Sequence, residues 1–149
     1  VANVNLDKKG YGKLIDIEAR KSLKRIGLDY NHGTGHGVGY FLNVHEGPQA
    51  ISKYNLVKLQ KGMILSNEPG FYQKGKFGIR IENLIYVKKS REKLFFKNLT
   101  LAPIEKDLID FSLLTNGEKN YLFKYHLEVY SKISPFLNKN EKSWLASLI

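Results

Sequence analysis

Between positions 13 and 26 the apolar side chains Leu14, Ile15, Ala19, Leu23 and Ile26 recur at helical spacing among lysines, arginines and Glu18. That period predicts an amphipathic helix over 13–26, and Gly27 follows where a left-handed cap commonly ends one. The next stretch, 29–48, loses the period and is crowded with glycines, the composition of a loop that needs unusual backbone angles and close approach. Strands are predicted at 63–67, 79–88 and 93–101, joined through Pro69, Gly70 and a turn at 75–78, and together form an antiparallel group. In the strand from Ile79, alternation sets Ile79, Ile81 and Asn83 on one face and Arg80, Glu82 and Leu84 on the other. After Pro103, Thr115 and Glu118 form a capping box that opens a helix to about Ile133, and Ser134-Pro135 breaks it. A last short helix over 140–149, carrying the lone Trp144, is expected to pack on the sheet. Helix, loop, sheet and helices in that order predict an α+β domain.

The chain has 149 residues, 42% of them hydrophobic and 12% aromatic, enough to bury one domain's core and too many for a disordered chain. With no cysteine, a disulfide framework, a thiolate metal site and a Cys nucleophile are excluded, and a reducing, cytoplasmic location is expected. Charged residues interrupt every apolar run, so no membrane span is expected. Residues 1–12 lack a signal peptide's apolar segment and an initiating Met, so the chain is expected to start downstream of a translation start. Lys+Arg number 24 against 14 Asp+Glu, a net charge of +10 that invites a nucleic-acid reading. The basic residues are scattered in ones and twos with acidic neighbours, which describes a solvated surface rather than a phosphate-binding face.

Three of the four histidines, His32, His36 and His45, fall in the glycine-rich stretch. The spacing of His32 and His36 suits a zinc-binding pair on a helix, but the Glu of an H-E-x-x-H motif is missing and the intervening glycines oppose a helix. In extended backbone His32, Thr34 and His36 converge on one side, leaving His36 to ligate a metal and His32 to touch substrate. Hydrogen-bonded loop histidines are the plainer alternative. Glu82 inside an apolar strand, and Glu68 between an apolar run and Pro69-Gly70, are costly to bury unless paired or metal-bound. An ion pair from Glu82 to Arg80 on a solvent face is the competing account. One imidazole with two carboxylates suits Mn²⁺, Co²⁺, Zn²⁺ or Fe²⁺.

The runs Gly33-Thr34-Gly35-His36-Gly37-Val38-Gly39, Asn43-Val44-His45-Glu46-Gly47-Pro48, Asn67-Glu68-Pro69-Gly70-Phe71-Tyr72 and Phe77-Gly78-Ile79-Arg80-Ile81-Glu82-Asn83 closely resemble the Xaa-Pro aminopeptidases. These belong to the pita-bread metallopeptidases, with the prolidases, methionine aminopeptidases and creatinases. The resemblance extends through Gly27-Leu28-Asp29-Tyr30 and the segment around Leu113-Leu114-Thr115. It implies that His36 and Glu68 ligate one metal ion while Glu82 bridges two. It also implies that His45 contacts the substrate carbonyl or shuttles protons, that His32 lies beside the scissile peptide, and that Glu68 carries the proton. Arg80 would steady the carboxylates from outside the ligand set. The cofactors implied are two divalent ions, Mn²⁺ first and Zn²⁺ or Co²⁺ after it. The substrate implied is a peptide with proline at the second position, and a homodimer suits the intact enzyme.

The family's pattern has five metal ligands, two of them Asp residues that precede the histidine loop. Upstream of His32 this sequence has only Asp7, Asp16 and Asp29, none in the family's context. The chain is therefore expected to be the second half of a pita-bread domain, an antiparallel curved sheet with flanking helices and a C-terminal helical tail. Residues 1–102 would be the C-terminal half of the catalytic domain and 103–149 a helical extension packed on it. Holding three ligands of five, the isolated chain is expected to be inactive, with a separate or missing N-terminal half completing the site. A catalytically dead binding protein of the same fold and a prolidase-type dipeptidase are the alternative readings.

Overall fold

A computed structural model describes every residue except Leu42, and the chain divides into two compact units, Val1–Thr100 and Leu101–Ile149. The first unit opens with a single helical turn, α1 (Leu6–Lys9), capped by the Asn5 side chain, and then the predicted helix, α2 (Gly12–Lys24). Beyond Lys24 the chain turns through Gly27, whose φ of +75° is left-handed, and Leu28 N–H returns to the Leu23 carbonyl at 3.0 Å. The face that α2 buries differs from the predicted one. Ile15, Asp16 and Arg20 are buried, whereas Leu14 and Ile26 are exposed. Two charged residues displace the apolar stripe because they hold the loop that follows.

Among the described residues seven strands form three antiparallel sheets. β1 (Gly35–His36) pairs with β2 (Ala50–Ile51). β3 (Ile64–Asn67), β6 (Asn83–Ser90) and β7 (Lys93–Asn98) form a three-stranded sheet in the order β3-β6-β7. β4 (Gly70–Gln73) pairs with β5 (Phe77–Arg80). The strand predicted over 79–88 is thus two strands, interrupted at Ile81 and Glu82. Pairings Asn67↔Asn83 and Gly70↔Arg80 keep one register across the gap, so the hairpin is a single ribbon with a break. In that register Pro69 stands opposite Ile81. Having no N–H, Pro69 has nothing to donate to the ladder, and on the strand's other edge the Glu68 N–H donates to the Thr34 carbonyl at 2.8 Å.

The core of the first unit gathers Leu6, Ile15, Ile51, Leu59, Leu65, Ile85, Val87 and Phe96. Ile85 and Val87 are two apart on β6 and face the same way, as the period of a strand requires. Asn67, Asn83 and Asn98 form a ladder of side-chain amides across the three strands, at 2.8 and 2.9 Å.

In the second unit a 3₁₀ turn (Phe111–Leu113) is capped by the Asp110 side chain. α3 (Asn116–Ile133) begins with the predicted Thr115–Glu118 capping box and gives way at Ser134 to a 3₁₀ turn holding Pro135. α4 (Lys139–Ser147) has a capping box of its own from Asn138 and Glu141, and it occupies the place of the predicted final helix. Tyr125, Val129 and Leu145 form this unit's core, whereas Trp144 is exposed. The buried His126 accepts the Ile104 N–H at 3.1 Å, and the Tyr125 hydroxyl donates to the Ala102 carbonyl at 2.7 Å.

Leu65 is fully buried at the centre of the first core, so Leu65→Ala is expected to remove about 2–5 kcal/mol of stability. Urea unfolding followed by circular dichroism measures it.

Candidate functional site

The site is built where the histidine loop lies against β3. Gly37 bridges to Leu65, Val38 N–H donates to the Ile64 carbonyl at 3.1 Å, and His36 N–H donates to Ser66 Oγ at 2.9 Å. This approach depends on glycine. A Cβ on Gly35 would lie 1.9 Å from the Ser66 carbonyl oxygen, and one on Gly37 would lie 1.9 Å from that of Glu46.

With the loop so placed, His36 Nε2 faces Glu68 Oε1 at 3.3 Å. His36 Nδ1 lies 3.0 Å from the Gly37 carbonyl, which can only accept, so Nδ1 carries the proton and Nε2 has a lone pair to offer. Glu68 is buried, and Ser66 Oγ donates to the same Oε1 at 2.8 Å while Arg80 Nη1 reaches Oε2 at 3.3 Å. Two acceptors therefore face one another unless a proton or a cation stands between them. His45 completes the group, its ring 4.2 Å from that of His36 between centroids. It is carried there by a return of the loop in which Glu46 N–H donates to the Gly37 carbonyl at 2.9 Å.

A polar chain leads from Glu68 to His32. Arg80 Nε donates to Tyr72 Oη at 2.8 Å, and Tyr72 Oη lies 2.9 Å from His32 Nε2. His32 Nδ1 donates to the Gly33 carbonyl at 2.7 Å, so its Nε2 accepts from the Tyr72 hydroxyl. The bond to Tyr72, aided by the charges of Glu68 and Glu82, raises the Arg80 pKa. Tyr72 owes its direction to glycine: its ring lies over Gly78, where a Cβ would meet it at 2.7 Å, and its hydroxyl lies beside Gly70.

The structure thus joins His36, Glu68, His45, Arg80 and His32, the last through Tyr72. The expected convergence of His32, Thr34 and His36 on one side does not occur, because Thr34 is fully buried and donates to Asp16 Oδ1 at 2.6 Å. Arg80 pairs with Glu68 rather than with Glu82. Glu82 is exposed at the ribbon's break, and the shared register sets it opposite Glu68. Among the described residues no group of three or more His, Cys, Asp or Glu side chains is gathered for a metal ion. The donor set still fits a divalent cation in part, since one imidazole lone pair and one buried carboxylate oxygen point at common space. Tyr72 and Ser66 were not marked by sequence reasoning. The signal for Tyr72 is its place between Gly70 and Gly78; Ser66 had none beyond its position two residues before Glu68.

Residues 7–89 match metallopeptidase family M24, and residues 92–148 match the C-terminal region of peptidase M24. The chain belongs to metallopeptidase family M24, and its mixed α+β fold is that of pita-bread neighbours. Among individual proteins it is 50% identical over 147 residues to a probable Xaa-Pro aminopeptidase P of Coprinopsis cinerea, a match covering 90% of this chain and 24% of that one. It is 42% identical to an X-prolyl aminopeptidase of Caenorhabditis elegans, described as a cytosolic enzyme with a di-nuclear active site, with a TM-score of 0.84 over 93% of this chain and 24% of that one. Prolidase of Pyrococcus furiosus is 36% identical with a TM-score of 0.54, over 62% of this chain and 26% of that one. The chain spans about a quarter of the length of these relatives.

A methyl group at position 35 would drive the histidine loop off β3. Gly35→Ala is therefore expected to cost about 1–3 kcal/mol or more as an overpacking change and to separate His36 from Ser66. Denaturant midpoints and the loss of nuclear Overhauser contacts between those two residues are the measurements.

Proposed function

We propose that this chain is the second half of the catalytic domain of a metal-dependent Xaa-Pro aminopeptidase, which removes the N-terminal residue from peptides with proline at the second position. The observation that carries this reading is the pair His36 and Glu68, held by Gly37, Ser66 and Arg80 with their acceptors 3.3 Å apart. His36 and Glu68 would hold one divalent ion, and Glu82, across the break in the ribbon, would reach both ions of a two-metal site. Bound there, the ions supply Lewis acidity and a water that is deprotonated near neutral pH. Manganese, a cytosolic location and completion of the site by two Asp ligands from a preceding half belong to the same proposal. The likeness to a cytosolic relative with a di-nuclear active site supports the location and the two-ion count.

Within this scheme the protein groups have separate tasks. Glu68 takes a proton from the attacking water and passes it to the departing proline nitrogen, since its buried carboxylate is already fixed by Ser66 and Arg80. His45, exposed beside His36, donates to the substrate carbonyl as charge develops there. His32 lies against the peptide on the far side and is kept in one tautomer by Gly33 and Tyr72. Arg80 keeps Glu68 turned toward His36. The 50% identity to an Xaa-Pro aminopeptidase P, against 36% to the prolidase, favours the aminopeptidase reading over a dipeptidase.

Titration of Mn²⁺ into the chain is expected to broaden the imidazole resonances of His36 and His45 while those of His126 stay sharp. His36→Ala and Glu68→Ala should abolish the broadening of His45. Uniform broadening, or none, would overturn the ligand assignment. The chain alone is expected to show no turnover of Xaa-Pro peptides. Joined to a first half that supplies the Asp ligands, it should release the N-terminal residue, and Glu68→Gln should lower kcat by about 10²–10⁴.

A further inference from the structure

The face that α2 turns inward carries an ion pair where a helix ordinarily places leucine. Asp16 and Arg20 are both buried, and Arg20 Nε donates to Asp16 Oδ2 at 2.9 Å. The rest of the guanidinium is directed at the histidine loop. Nη1 donates to the Tyr30 carbonyl at 2.6 Å and to Asp29 Oδ1 at 2.7 Å, and Nη2 donates to the His32 carbonyl at 2.6 Å. The plane lies over the Tyr30 ring, 3.9 Å from its centroid. Asp16 reaches the same loop through its other oxygen, which accepts the Thr34 hydroxyl, and Thr34 is in turn bonded to the Tyr30 hydroxyl.

A buried ion pair is a poor means of gaining stability, because desolvating two charges offsets most of their attraction and an apolar pair of like volume often does better. Geometric definition is what this one supplies. Burial pulls the Arg20 pKa down, but the bonds from Asp16 and Asp29 together outweigh that and leave it raised, so the group stays charged. A planar guanidinium can grip two carbonyls and two carboxylates at once, whereas an ammonium cannot reproduce that fork. The carbonyls gripped are those of residues 30 and 32, so the backbone that bears the His32 ring is held from the helix side. The ring itself is held from the opposite side by Tyr72.

We infer that Arg20 is a positioning residue: through its fork to the carbonyls of Tyr30 and His32 it sets where the His32 imidazole stands. This rests on the assignment of His32 to the substrate side of the site, and it extends that assignment to a helix with no contact to substrate.

The test is read on His32 in the metal-free chain, so it does not depend on peptidase activity. Arg20→Lys keeps a positive charge beside Asp16 but removes the fork. Its expected result is a displacement or broadening of the His32 ring resonances and loss of the contact between His32 and Tyr72, with the His126 signals unchanged. Asp29→Asn, which discharges a partly exposed partner of Arg20 but keeps an acceptor for the Tyr30 N–H, should shift the His32 signals in the same direction by less, and it decides the matter if Arg20→Lys does not fold. Folded variants whose His32 resonances coincide with those of the parent would overturn the inference and leave Arg20 a purely structural residue. In the reconstituted enzyme, Arg20→Lys should lower kcat by about a hundredfold, the scale of an ångström's misplacement, with Mn²⁺ broadening at His45 retained. Failure of the Mn²⁺ titration in the parent chain would instead count against the peptidase reading and leave the His32 measurement standing.

Discussion

The close approach of the histidine loop to β3 is the contact on which the rest of the first unit depends. Gly35 lies on the Ser66 carbonyl with no room for a side chain, and Glu68 sends its backbone N–H to the Thr34 carbonyl. Those two facts set an imidazole beside a buried carboxylate. The Met63 carbonyl accepts from Val87 on the opposite strand and the Ile64 carbonyl from Val38 in the loop, so alternate residues face the loop, and Glu68, even-numbered like Ile64, presents its N–H to Thr34 whether or not the ribbon is broken.

Around that contact, His36, Glu68 and His32 are each restrained by a neighbour that is not itself proposed as a ligand. Ser66 faces both ways, accepting from the His36 backbone and donating to Glu68. Arg80 likewise links Glu68 to Tyr72, and Tyr72 links Arg80 to His32. His32 and His36, four residues apart in the loop, are thereby coupled through a different hairpin. On the other side, α2 holds the loop backbone through Arg20. Rigid placement of this kind is what catalytic geometry requires, since donors already oriented need no reorganisation when charge develops.

Much of this was legible in the sequence, and the parts that were not share a cause. The helices and their caps follow from local rules, so α2, α3 and α4 lie where periodicity, Gly27, the Thr115 box and Pro135 put them. His36, Glu68 and Arg80 were marked because histidines among glycines and carboxylates among apolar residues are anomalies that a sequence displays. The split of the predicted 79–88 strand was hidden because its cause, Pro69, sits on the partner strand and acts only through register. The polar inner face of α2 was hidden for a similar reason. Asp16 and Arg20 read as ordinary surface charges until the loop they serve, ten and more residues away, is brought against them.

The single register running through both halves of the ribbon constrains how such a sequence can vary. A one-residue deletion between Ile64 and Gln73, or between Phe77 and Tyr86, would slide one strand by a pleat and turn Glu68 or Glu82 to the opposite face. Length can change without that penalty at the tip around Gly75, which lies beyond the last paired residues. Descendants that keep both carboxylates in use should therefore accumulate substitutions along the ribbon but insertions only at its tip. A gap elsewhere in it would be the mark of a copy in which the two carboxylates no longer act together.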